Sequence, residues 1–115
     1  MEIFACRAAD SGKNSPMFSH LVVFWTDPAN PGAADAMIAG ANQHLKNIPG
    51  LVHFHIGKMV GSDRPVVVQN YQVALNTVFS SKKAQVDYQQ HPQHLKFIAQ
   101  CVKPLVKKTV VYDFE

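Results

Sequence analysis

Short, dense apolar runs alternate along the chain with longer stretches in which apolar residues recur every three or four positions. Residues 17–26 read MFSHLVVFWT, rich in β-branched and aromatic side chains and short enough for a strand. Successive strand side chains point to opposite sides, so His20, Val22 and Phe24 share one face and Leu21, Val23 and Trp25 the other. Both faces are apolar, and both are expected to be covered. DPANPG then breaks the pattern. Over residues 33–47, Met37, Ala41, Leu45 and the following Ile48 recur at helical spacing in an alanine-rich background. Ile48-Pro49-Gly50 ends that helix, because a residue before proline avoids helical backbone and glycine permits the turn. Residues 51–60 read as a second strand, GSDRP as a turn, and residues 66–79 as a long third strand. A helix opens over residues 82–90, is interrupted at His91-Pro92 and resumes to Val102, with Pro104 marking its end. TVVYDF, residues 109–114, is the last strand.

The order β-α-β-β-α-β predicts an α+β fold of the ferredoxin-like kind, a four-stranded antiparallel sheet with helices on one face. The opposite sheet face is too apolar to meet water, which predicts a homodimer packed sheet against sheet, a dimeric α/β barrel. Residues 1–16 differ in character. They end in Ser-Gly-Lys-Asn-Ser-Pro, which is linker chemistry, and read as an N-terminal extension to a domain over 17–115. Ile3 and Phe4 are the apolar groups able to anchor that extension.

Composition narrows the function classes. A chain of 115 residues is one domain. Apolar residues make up 47% and charged residues 17%, a globular rather than disordered balance. The net charge of +3 comes from scattered lysines with no basic run interleaved with aromatics, so no nucleic-acid partner is expected. Nothing in the sequence approaches the roughly 18 apolar residues of a membrane span, and no signal-peptide core precedes residue 17. Cys6 and Cys101 lie far apart and form no CxxC pair, which reads as a reducing, cytoplasmic setting. Without a GxGxxG loop, a Walker loop or a GxSxG elbow, neither nucleotide cofactors nor a serine nucleophile is expected. His53 and His55 share a strand face and can supply two metal ligands, but a stable site needs more and no third ligand stands at a telling spacing, so no metal is expected. Trp25, Phe54, Phe79 and Phe97 read as core.

SHLVVF in the first strand, IPG after the first helix, DYQQHPQH at the start of the second and VVYDF at the end together resemble the stress-responsive α/β-barrel family. The resemblance covers residues 17–115 and implies the same ferredoxin-like dimer. Most members have no assigned reaction. One plant member is a polyketide cyclase acting by aldol condensation. Its catalytic Tyr and His fall on Tyr88 and His94, and its first-strand histidine on His20. A further pocket histidine of that enzyme falls on Val73, where this chain departs.

The site expected from these readings is a small apolar pocket between sheet and helices. Tyr88 and His94 are its catalytic candidates, and His20, Val22, Phe24, Val73, Leu75, His91 and Phe97 its ligand-binding wall. Pro92 suits the first turn of the resumed helix. His91 then caps that turn and His94 sits near its positive end, which disfavours an imidazolium. A neutral His94 is a general base, and the Tyr88 phenol a hydrogen-bond donor to a developing enolate. Three readings stand side by side. The dimer binds a small hydrophobic carbonyl compound, or serves in a stress response. It is a cofactor-free cyclase or lyase using His94 and Tyr88. Or it is a structural oligomer whose interior is filled by its own side chains, with His94 bonding a helix end and Tyr88 packing as core.

Overall fold

The computed structural model describes residues 16–115; the expected extension over 1–16, with Ile3, Phe4 and Cys6, lies outside the described residues apart from its last position. Strand β1 (Phe18–Thr26) alternates strictly between buried and half-buried residues, as its two apolar faces require. An Asp27 side-chain oxygen accepts from Ala29 N at 2.9 Å and turns the chain into helix α1 (Gly32–His44). Met37, Ala41, Leu45 and Ile48 are all buried, the stripe that the spacing predicts. After Ile48-Pro49, Gly50 takes φ +88°, a left-handed conformation that costs other residues. Its carbonyl accepts from Ser80 N at 2.9 Å.

Strands β2 (Leu51–Lys58), β3 (Val73–Phe79) and β4 (Val106–Phe114) complete one antiparallel sheet in the order β2-β3-β1-β4. The connecting helices are α2 (Lys82–Gln89) and α3 (Pro92–Phe97), the latter running on through a π-helical turn at Ile98–Val102 and a last turn at Lys103–Leu105. The helices lie on the face of Phe18, His20, Val22 and Phe24 from β1, and Val73, Leu75, Thr77 and Phe79 from β3; both sets are buried. This is the expected ferredoxin-like α+β architecture.

Several boundaries differ from the sequence reading. The third strand begins at Val73 rather than Val66. Residues 59–72 form a loop that bonds itself, with Gln69 clasping the Ser62 backbone at 3.0 and 2.8 Å, and Val60, Val66 and Val68 are exposed on it. Gln72 ties the loop's end to β1: its amide donates to Phe24 O at 3.1 Å and its side chain accepts from Thr26 N at 2.7 Å. Pro104 does not end the helix but occupies its last turn, and β4 starts at Val106, earlier than its alternation suggested.

The other sheet face is open in the single chain. Leu21, Val23, Trp25 and Val110 are half-buried there, and Tyr112 and Phe114 are 56% and 58% exposed. Trp25 is therefore not core: its ring lies under the Lys108 ammonium at 4.7 Å and beside Tyr71. His53 and His55 also lie on this face, both exposed, opposite Val78 and Asn76 of β3.

Candidate functional site

The break between α2 and α3 builds the site. Ser81 caps α2, its hydroxyl accepting from Ala84 N at 3.1 Å. Two turns on, this points Tyr88 into the sheet, where it is 1% exposed. The helix stops before His91-Pro92. His91 Nδ1 then accepts from Gln93 N at 3.1 Å and caps α3, with Pro92 in its first turn. His94 follows on the inner side of that turn. Its ring stands against Tyr88, with centroids 4.5 Å apart and planes tilted by 44°.

His94 Nδ1 lies 3.1 Å from the Gln89 carbonyl. A carbonyl only accepts, so Nδ1 carries the proton and donates it, leaving a lone pair on Nε2. Burial holds the His94 pKa below its ordinary value, and charge on His20 and His91 would push the same way; the Gln89 bond opposes them. The ring is neutral at pH 7. Burial is the main cause, rather than the helix terminus that the sequence suggested. Burial also pushes the Tyr88 phenol well above its ordinary value, so it keeps its proton and remains a donor. None of the hydrogen bonds among the described residues involves that hydroxyl.

His20 joins from β1. Its ring meets Tyr88 edge to face at 6.3 Å and Phe79 at 6.4 Å. Its Nδ1 lies 2.6 Å from Asp113 Oδ1 on β4, the residue directly across the ladder. Thr77 Oγ1 donates to the His20 carbonyl at 2.6 Å and holds that backbone in place.

These groups surround a cavity of about 210 Å³ between β1, β4 and the helices. Of the expected wall, His20, Val22, Phe24, Leu75, Tyr88, His94 and Phe97 line it. Val73 and His91 do not. Val73 is fully buried in the core near the far end of β3, and His91 faces a separate hollow behind α2, beside Ile48 and Pro49. The sequence reading missed Gln89, Ile98, Val102, Thr109 and Val111, which also line the cavity. The π-helical turn carries Ile98 and Val102, and nothing in their spacing announces it. The strand alternation does put Thr109 and Val111 on the His20 face, a signal that was available once β4 was paired with β1. No cluster of metal-ligating side chains occurs among the described residues, and no helix there is long and apolar enough to cross a membrane.

The model of the stress responsive A/B barrel domain family matches residues 18–115. Solved structures share the fold. A dabb family protein with a ferredoxin-like fold from Mesorhizobium loti is 24% identical, covering 86% of this chain and 95% of that one, with a TM-score of 0.70. A dimeric ferredoxin-like protein of unknown function from Thermobifida fusca is 21% identical over 87% and 91%, with a TM-score of 0.73. The hydroxynitrile lyase of Passiflora edulis is 19% identical over 85% and 91%, with a TM-score of 0.70. No curated protein matches the chain.

Proposed function

The chain belongs to the stress responsive A/B barrel domain family, and from that premise we propose that it is a homodimeric, cofactor-free acid–base catalyst acting on a small, largely apolar carbonyl compound. The carrying observation is the His94–Tyr88 pair on one cavity wall: a neutral base with its lone pair on Nε2 beside a phenol that stays protonated. In the proposed step, His94 Nε2 takes a proton from the carbon next to the carbonyl. The C–H electron pair becomes the enolate double bond, the carbonyl π pair moves to oxygen, and the Tyr88 O–H donates a hydrogen bond to it.

Size supports the reading. A dry cavity of about 150 Å³ admits benzene, so 210 Å³ suits a ring with a short carbonyl side chain. The same volume speaks against an interior filled by the protein's own side chains. The open apolar sheet face supports the homodimer, as do dimeric neighbours of this fold. A hydroxynitrile lyase on this fold supports acid–base chemistry in such a cavity. A cytoplasmic location and a part in a stress response belong to the same reading, supported by the cysteine usage and the family.

The test is deuterium uptake at the α-carbon of phenylacetone in D₂O, followed by proton NMR. Wild type should accelerate exchange, and His94→Gln should lower that acceleration by about 100-fold or more, the usual contribution of a general base. Aryl ketones should also raise the melting temperature saturably. No exchange above background, together with no thermal shift from aryl ketones or aldehydes, would refute the proposal.

A further inference from the structure

The step above leaves His20 without a task, although it lines the same cavity. We propose that His20 and Asp113 form a second acid–base unit of this cavity, and that its substrates are α-hydroxy carbonyl compounds isomerised through an enediol. The inference rests on the cavity reading and names the substrate class for it.

The geometry carries it. His20 is 7% exposed, and its ring is fixed by the edges of Phe79 and Tyr88. Asp113 Oδ1 stands 2.6 Å from Nδ1. A carboxylate only accepts, so Nδ1 is the donor, and in the neutral ring Nε2 carries the lone pair. The Gln85 amide at 3.5 Å is the other polar group near Nδ1, too far to compete with that contact. Asp113 sits on the edge strand with its side chain 45% exposed. His20 and His94 both stand against Tyr88, with ring centroids 6.3 and 4.5 Å away, and all three line the cavity.

One base exchanges protons at one carbon. A second base, able to move protons between oxygens, permits isomerisation. His94 Nε2 removes the carbinol C–H proton, and the electron pair forms the C=C bond of an enediolate whose negative oxygen is the former carbonyl. His20 Nε2 takes the proton of the neighbouring hydroxyl, its imidazolium charge balanced by Asp113, and gives that proton to the former carbonyl oxygen. The hydroxyl oxygen re-forms a carbonyl as His94 returns its proton to the other carbon. Each proton removed is returned, no electrons leave, and no co-reactant is needed.

The probe is the interconversion of 1-hydroxy-1-phenyl-2-propanone and 2-hydroxy-1-phenyl-1-propanone in D₂O, with isomer ratio and carbinol C–H exchange read together by NMR. Wild type should show both. His20→Gln and Asp113→Asn should lower the ratio of isomerisation to carbinol exchange by about 100-fold, because exchange uses His94 as its base. Nitrogen-15 NMR should find the His20 proton on Nδ1 in wild type and moved to Nε2 in Asp113→Asn, so that the Nε2 lone pair and isomerisation are lost together. Exchange without isomerisation in wild type, equal isomerisation in the variants, or a His20 proton on Nε2 in wild type would each overturn this inference and leave the His94 reading intact. Absence of both exchange and isomerisation would overturn the two together.

Discussion

Replacing Gly50 by alanine strikes the turn that seats α2, and the structure gives the cost in separable parts. At φ +88° a Cβ sits too close to the neighbouring carbonyl, worth roughly 1–2 kcal/mol. The new methyl would also stand 2.6 Å from the Ala84 Cβ on α2, an overlap to be relieved by shifting backbone, at about 1–3 kcal/mol. Together these predict a loss of about 2–5 kcal/mol, or about 8–20 °C in Tm for a domain of this size. Thermal unfolding followed by circular dichroism measures it. Adding Ala84→Gly removes the overlap and leaves the backbone conformation, so the double variant should be more stable than the sum of the single losses by about 1–3 kcal/mol. Gly61→Ala is the control: its nearest neighbour is a Gln69 side-chain oxygen at 3.9 Å, and its Tm should not fall. A Gly50→Ala protein melting within about 2 °C of wild type, or strictly additive losses in the double variant, would refute the reasoning.

Further outcomes follow from the sheet face and from the base. Leu21→Arg puts a charge among Val23, Val110 and Tyr112 on the open face, and light scattering at micromolar concentration should change from dimer to monomer mass; a retained dimer would place the contact elsewhere. His94 binds its proton less tightly in the folded than in the unfolded chain, whose ordinary value is 6.5. The unfolded state therefore holds more protons as pH falls below that value, so stability is full above it and declines as pH drops toward the folded pKa. His94→Gln should flatten that decline in urea titrations at pH 5 to 7, and parallel curves for the two proteins would contradict it.

How far the sequence could be read depended on whether a residue's role was local. The helical stripe from Met37 to Ile48, the two-faced first strand and the His91-Pro92 break each follow from spacing and backbone restriction over a few residues, and each is found in the fold. Tyr88 and His94 share a wall because a helix break brings residues six apart together. Val66 was misjudged because apolar content alone suggested strand, whereas Ser62 and Gln69 fold that stretch back on itself. Val73 and His91 were placed in the wall by the family pattern, and strand length and capping geometry put them elsewhere. Asp113 went unremarked because its partner, His20, is 93 residues away in the chain; only the β1–β4 register joins them. The walls formed by Ile98 and Val102 depend on a π-helical turn, a single extra residue of winding that no period of three or four discloses.

The base and the strand walls of the cavity are set by separate parts of the chain. Gln93 N bonds the His91 ring rather than the next carbonyl down the helix, so the Gln89 carbonyl is free for His94 Nδ1. Which nitrogen of His94 is basic is thus written within residues 89–94, by the position of a proline and its cap. Groups that decide what fits beside it, Val22 on β1 and Val111 on β4, belong to other elements. Substitutions there can reshape the occupant without disturbing the proton chemistry, whereas a shift of the proline by one residue would disturb both, because Phe97, Ile98 and Val102 follow it on the same helix. A lineage carrying this break can therefore change its substrate by small steps through functional intermediates, each change of wall arriving with the reactive nitrogen already set.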